Sequence, residues 1–332
     1  MELFEYSQAA STEAAVKSGS ATGARFIAGG TTLVDLMKLG VETPQRVVDV
    51  NSLAGKVPGI DTVDVTPEGG LRIGALVRNA DLAHHQTVAS HYAVLSQALL
   101  SGASAQLRNM ATTGGNLLQR TRCVYFRDTA FPCNKREPGS GCPAIGGVNR
   151  MMAILGTSDQ CIATNPSDMN VALTALEATI HIQGAKGERA VPIHEFFLLP
   201  GTTPHKENVL EPGELITFVT LAKPAAGTRS VYLKLRDRAS YEFALSSAAV
   251  VAQVEGKRLK NVRIAMGGVG TRPWRMVEAE HVLEGHEVED GNLRKAAEAA
   301  LRAAKPQSEN GFKVELAKRC LVHAVKQLVE LA

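Results

Sequence analysis

Four of the five cysteines in this chain are Cys123, Cys133, Cys142 and Cys161, separated by nine, eight and eighteen residues. The run that holds them opens on a glycine turn, Thr112-Thr113-Gly114-Gly115-Asn116, and closes on Asn165-Pro166-Ser167-Asp168. A disulfide scaffold belongs to short secreted domains with little core, and a chain of 332 residues is not one. Clustered thiols in a chain this long read instead as metal ligands in a reducing compartment.

The length implies two or three domains. A hydrophobic content of 45% and a charged content of 21% are those of a soluble globular protein. A net charge of +3, with no basic helix or run, gives no reason to expect nucleic acid. Met1-Glu2-Leu3-Phe4-Glu5-Tyr6 has no basic region followed by an apolar core, so no signal peptide is expected, and no apolar run approaches the ~20 residues of a membrane span.

Residues 1–55 read as α/β. Ser11 or Thr12 caps a helix that runs to Gly19, and Arg25-Phe26-Ile27-Ala28 is a strand. That strand enters a second glycine turn, Gly29-Gly30-Thr31-Thr32, before a helix from Leu33 to Leu39. Strand, glycine turn and helix aim free backbone N–H groups at an anion. A bare Gly-Gly also serves as a plain tight turn. With no Gly-x-Gly-x-x-Gly and no Gly-Lys-Ser/Thr, a nicotinamide-type fingerprint and a P-loop are both unsupported. Residues 56–225 read as a second α/β segment. Its hairpin turns at Gly184-Ala185-Lys186-Gly187, and Lys223-Pro224-Ala225-Ala226-Gly227 marks its end. Residues 226–332 place strands first, at 230–236, 244–254 and 262–266, and helices after them, ending with Phe312 to Leu331, which reads as a separate α+β domain.

Three readings of the four cysteines stand side by side: structural zinc, an iron–sulfur cluster, and unmetallated buried thiols. Zinc sites favour Cys-x-x-Cys knuckles, absent here, whereas clusters accept wider spacing. Pro132, Pro143 and Gly139-Ser140-Gly141 supply bends between the ligands. Arg120, Arg122, Arg127, Lys135, Arg136 and Arg150 outnumber Asp128 and Glu137 in the same stretch, either to offset anionic thiolates or as a solvated or partner-facing surface. Cys320 follows Phe312 and Leu316 at four-residue intervals and reads as a buried thiol on an apolar helix stripe. His84, His85, His281 and His286 show no ligand spacing.

Taken together, Ala28-Gly29-Gly30-Thr31-Thr32-Leu33, Thr112 to Leu117, Ser167-Asp168, Ile264-Ala265-Met266-Gly267-Gly268-Val269 and Pro273-Trp274-Arg275 resemble the FAD-binding medium subunit of the molybdenum hydroxylases, the xanthine dehydrogenase and aldehyde oxidoreductase family. The long link carrying the cysteines, at about residues 118–163, resembles the branches whose flavin subunit binds an extra [4Fe–4S] cluster. These are the bacterial periplasmic aldehyde oxidoreductases and the 4-hydroxybenzoyl-CoA reductases, and Leu118 to Cys123, Pro132 to Arg136 and Pro138 to Cys142 look closest to the former.

The resemblance implies a fold of α/β and α+β parts, in which two subdomains clasp FAD and a C-terminal α+β domain of the CO dehydrogenase flavoprotein type follows. It implies FAD contacts from Ile27, Ala28, Gly29, Gly30, Thr31, Thr32 and Leu33 along the pyrophosphate and from Thr112, Thr113, Gly114, Gly115 and Asn116 opposite. Gly102 would lie nearby, Asp168 would accept from a hydroxyl, Ile216 would pack near the flavin, and Lys234 would approach it from the C-terminal domain. It implies Cys123, Cys133, Cys142 and Cys161 as cluster ligands. The molybdenum cofactor would sit in a large partner subunit and [2Fe–2S] centres in a small one. This chain would then pass electrons to an external acceptor, with no general acid or base of its own, in the cytoplasm or co-exported to the periplasm with a signal-bearing partner. Two other functions remain at this point: a zinc-stabilised assembly module without redox chemistry, and a stand-alone flavin oxidase.

Overall fold

In the computed structural model, residues 1–330 are described, so Leu331 at the expected end of the last helix lies outside the described residues. Residues 5–49 alternate strand and helix: β1 (Glu5–Gln8), α1 (Thr12–Gly19), β2 (Ala24–Ile27), α2 (Leu33–Lys38) and β3 (Arg46–Asp49). The strands are parallel in the order β1-β3-β2, as expected where helices make the crossovers. Ser11 caps α1 by accepting the Ala14 N–H at 3.2 Å. Ala15 and Val16 of α1 then pack on Val48 and Val50 to close a small core.

The middle sheet contains β4 (Val63–Val65), β5 (Leu71–Gly74), β6 (Thr179–Gly184), β7 (Gly187–Pro192) and β8 (Leu215–Leu221). Its order is β4-β5-β8-β6-β7, and every pair is antiparallel, so this segment is α+β in character. Between β5 and β6 the chain makes α3 (Asn79–His84), α4 (Gln86–His91), α5 (Ala93–Ser101), α6 (Ala105–Met110), α7 (Thr113–Leu117), α8 (Val124–Arg127) and α9 (Asp168–Ala175). Every residue of α9 is buried. It packs on α5 and α7 on one side and on strands of the C-terminal sheet on the other, so its first residue, Asp168, is held where these parts meet. A short helix, α10 (Ile193–Phe196), follows β7.

The C-terminal domain is an antiparallel sheet in the order β12-β11-β10-β9, formed by β9 (Thr228–Leu235), β10 (Ser246–Glu255), β11 (Arg258–Gly267) and β12 (Trp274–Arg275). α11 (Val277–Leu283), α12 (Asp290–Leu301) and α13 (Phe312–Glu330) cover one face. Cys320 is buried on the stripe of α13, as its spacing predicts. The start of that stripe differs from the expectation. Phe312 is 42% exposed, and Lys313 takes the buried position instead. Positions 313, 317, 320 and 324 follow the helical repeat toward the sheet, and Phe312 falls beside it. No described helix is long and apolar enough to cross a membrane.

Candidate functional site

The first glycine turn leaves its donors free. The N–H groups of Gly29, Gly30, Thr31 and Thr32 donate to no protein acceptor among the described residues. Gly30 has φ +71°, a left-handed conformation that glycine adopts without strain. A side chain on Gly29 would stand 2.7 Å from the Met110 carbonyl carbon and nearer still to its oxygen, so this turn abuts the end of α6. Side chains fasten the contact. Asn51 Nδ2 donates to the Ala28 carbonyl at 2.9 Å, and Arg78 donates to Asn51 Oδ1 at 3.2 Å and to the Met110 carbonyl. Nothing local in the sequence marks Asn51 or Arg78, because their partners lie 23 to 32 residues away.

The second turn is built otherwise. Thr112 caps the short helix α7, its Oγ1 accepting from the Gly115 N–H at 3.2 Å. Thr113 N–H donates to the Val77 carbonyl, Gly114 N–H to Ala75 and Asn116 N–H to Thr112. The donors from Thr113 to Asn116 are thus consumed within the chain, and this segment meets its surroundings through packing and side chains. A Cβ at position 114 would stand 3.2 Å from the Ala75 Cβ, so Gly114 fits closely over Ala75. Asn116 Oδ1 accepts from Ser167 Oγ at 2.7 Å, which joins the two ends of the cysteine-bearing run.

Asp168 lies beside Gly102 and is clasped from the C-terminal domain. Tyr232 donates to Oδ1 at 2.5 Å and Lys234 to Oδ2 at 2.8 Å. Lys234 also donates to the Ser101 carbonyl at 3.1 Å, as does Arg236 at 3.0 Å. Burial, with Asp168 adding to it, drives the Tyr232 hydroxyl well above its ordinary value and keeps it a donor. A carboxylate has about four acceptor positions, so Asp168 retains capacity beyond these two bonds. Tyr232 carries no sequence signal except its place two residues before Lys234, on the same strand face. Ile216 lies in the apolar core of the middle sheet and does not line the cavity beside Asp168.

The four cysteines converge. Cys123, Cys133 and Cys161 are buried and Cys142 partly so, and all four line one cavity with Tyr125, Phe126, Pro143 and Ala144. No three His, Cys, Asp or Glu side chains among the described residues are grouped as ligands of a single metal ion. Burial pushes the Cys123 thiol up to about 11 and raises Cys161. The backbone N–H groups of Phe126 and Tyr125 act in the opposite sense on Cys123, and that of Ala163 on Cys161. Lys135 also favours the Cys161 thiolate.

The local basic excess is balanced by carboxylates from elsewhere in the chain. Arg120 pairs with Glu42 and Glu207, Lys135 with Glu207 at 3.0 Å, Arg122 and Arg127 with Asp35 at 3.2 and 2.7 Å, and Arg150 with Asp237 at 2.7 Å. Arg136 donates to the carbonyls of Tyr125, Phe126 and Phe131. These side chains pin the cysteine loop to α2, to the 207 loop and to the C-terminal domain. They are neither a free surface nor reserved for thiolates alone.

A second cavity of about 160 Å³ adjoins the first. Arg122, Cys123, Met151 and Met152 form one wall and Ser167, Asp168, Ser247, Gly267 and Gly268 another. Ser247 Oγ is buried there with no hydrogen-bond partner among the described residues. The volume is that of a cavity able to hold one aromatic ring.

Residues 2–224 match the FAD binding domain in molybdopterin dehydrogenase, and residues 231–328 match the CO dehydrogenase flavoprotein C-terminal domain. The chain is 50% identical to the aldehyde oxidoreductase FAD-binding subunit PaoB of Escherichia coli (strain K12), over 98% of each chain. It is 28% identical to the glyceraldehyde dehydrogenase medium chain of Sulfolobus acidocaldarius, over 92% of this chain and 90% of that one. Among solved structures, the reconstituted CO dehydrogenase from Oligotropha carboxidovorans superposes with a TM-score of 0.77 over 100% of this chain and 99% of that one; at 22% identity it bears on the fold alone. The chain therefore belongs to the FAD-binding medium subunits of the molybdenum hydroxylase family, the flavin subunits of molybdenum-containing oxidoreductases.

Proposed function

We propose that this chain is the FAD- and [4Fe–4S]-binding electron-transfer subunit of a molybdenum-dependent aldehyde oxidoreductase. Its partners are a large molybdenum-cofactor subunit that oxidises the substrate and a small [2Fe–2S] subunit that relays electrons to this chain. The observation that carries the reading is the shared wall: Cys123 lines both the four-thiol cavity and the ring-sized cavity that reaches Asp168. The aldehyde class rests on the 50% identity to PaoB.

The residues fit both groups. The free N–H groups of Gly29 to Thr32, with no side chain at the two glycines, suit a pyrophosphate. Asp168 is aligned by Tyr232 and Lys234 and can accept from a hydroxyl, and the unpartnered Ser247 hydroxyl offers a donor to a ring heteroatom or carbonyl. Four thiols lining one cavity are the donor set that an iron–sulfur cluster takes, and the absence of a Cys-x-x-Cys knuckle weighs against structural zinc. Backbone N–H groups beside Cys123 and Cys161 oppose the burial that disfavours the thiolate form a metal requires. When bound, FAD exchanges one or two electrons at a time and an iron–sulfur cluster exchanges one. The protein binds, orients and shields these groups. Export of the folded complex with a signal-bearing partner is the location this reading implies.

Anaerobic purification followed by a visible spectrum and assays of flavin, iron, sulfide and zinc tests the proposal. The expected result is one FAD with about four irons. Stoichiometric zinc without flavin would overturn it.

A further inference from the structure

Lys313 stands in the buried stripe of α13, fully enclosed, where the helical repeat calls for an apolar side chain. Its Nζ donates to three carbonyl oxygens: Met151 at 3.2 Å, Met152 at 3.0 Å and Gly268 at 2.6 Å. All three donors are thereby used. Every acceptor is neutral, and the charged neighbour that acts on it, Arg150, is itself a cation. Burial and that repulsion push the Lys313 amine down to about 7. An enclosed cation without a counter-charge costs stability that a methionine of similar length would not.

The three carbonyls explain the position. Met151 and Met152 belong to the exit of the cysteine loop and Gly268 to the turn after β11, and these two walls bound the ring-sized cavity between Cys123 and Asp168. Asn310 Nδ2 reaches the same Met152 carbonyl at 3.2 Å, so a neutral donor duplicates that one of the three bonds. The charge is not.

We propose that Lys313 is a positioning residue of this cavity, and that its charge, set behind the wall, balances negative charge arriving in the cavity when the subunit is reduced. The inference rests on the flavin reading above. A fixed cation in a dry wall acts more strongly than one in water, and it favours the reduced over the oxidised occupant.

The test is a spectroelectrochemical titration of the flavin in the assembled complex at about pH 6, below the titration of Lys313. Lys313→Met should weaken the preference for the reduced flavin about tenfold, which is about 30 mV to more negative potential for a two-electron couple. Asn310→Ala removes a bond to the same carbonyl without removing charge, and its potential should match the unsubstituted complex. Lys313→Gln keeps donors, loses the charge and carries the same expectation as Lys313→Met; it decides the matter if the methionine variant does not assemble. An unchanged potential in the charge-removing variant, or an equal shift in Asn310→Ala, overturns the role of Lys313 alone. An unsubstituted complex without FAD overturns the flavin reading instead.

Discussion

Gly29→Ala separates the two glycine turns, which the sequence presents as equals. A Cβ at position 29 would lie 2.7 Å from the Met110 carbonyl carbon and 3.1 Å from the Ala111 Cα. Ordinary carbon contacts begin at about 3.5 Å, so the two segments must part by roughly 0.8 Å or more. The obstacle is backbone at the end of α6 and cannot swing aside. Overpacking of this kind costs about 1–3 kcal/mol. The parting falls on the segment with four free N–H groups and strains the Asn51 and Arg78 bonds to the Ala28 and Met110 carbonyls. If the whole cost is expressed in cofactor binding, FAD affinity falls roughly 5- to 150-fold. Gly115→Ala is the control. Its Cβ would meet Thr112 Oγ1 at 3.0 Å, a side-chain atom, and its N–H remains bonded within the chain. The assay is flavin occupancy after extensive dialysis, with thermal unfolding of both variants. Gly29→Ala should lose flavin while Gly115→Ala retains it. Equal occupancy in the two variants would refute the claim that the first turn is the anion cradle.

Two further outcomes follow from the cysteine loop. Cys142→Ser, at the most exposed of the four thiols, should lower iron content, whereas Cys320→Ser should leave it unchanged, because Cys320 is enclosed in the α13 core with its thiol pushed up to about 12; equal iron in both variants counts against the ligand set. The Glu207 carboxyl is raised by burial but lowered more by Lys135 and Arg120, so its net shift is downward. A lowered folded-state pKa contributes stability above the ordinary carboxylate value of about 4.3 and loses it as pH falls through the folded value. Glu207→Gln should therefore have a lower urea midpoint than the unsubstituted chain at neutral pH. The gap should close in strong acid, and a pH-independent gap would contradict the linkage.

Local signals made much of this protein legible. The strand, Gly-Gly turn and helix at residues 24–38 follow from periodicity and from glycine's access to positive φ, and the burial of Cys320 follows from helical spacing. The same kind of reading misplaced Phe312, because a stripe shifted by one residue is hard to tell from its neighbour until the sheet beneath it is known. It also took residues 56–225 as α/β, since the direction of a strand relative to its neighbour depends on long-range pairing that no local pattern encodes.

Sequence by itself determined which chemistry is available: four clustered thiols, two glycine turns and an aspartate after a serine. Only the tertiary structure decided how each is used. It left the N–H groups free at Gly29 to Thr32 and consumed them at Thr113 to Asn116. It set Tyr232 and Lys234 on Asp168, more than 60 residues apart in the chain, and neutralised the loop's arginines with remote carboxylates. The physical reason is the same in each case. Hydrogen bonds and ion pairs depend on distances of about 3 Å, and sequence separation carries no information about such distances across a folded junction.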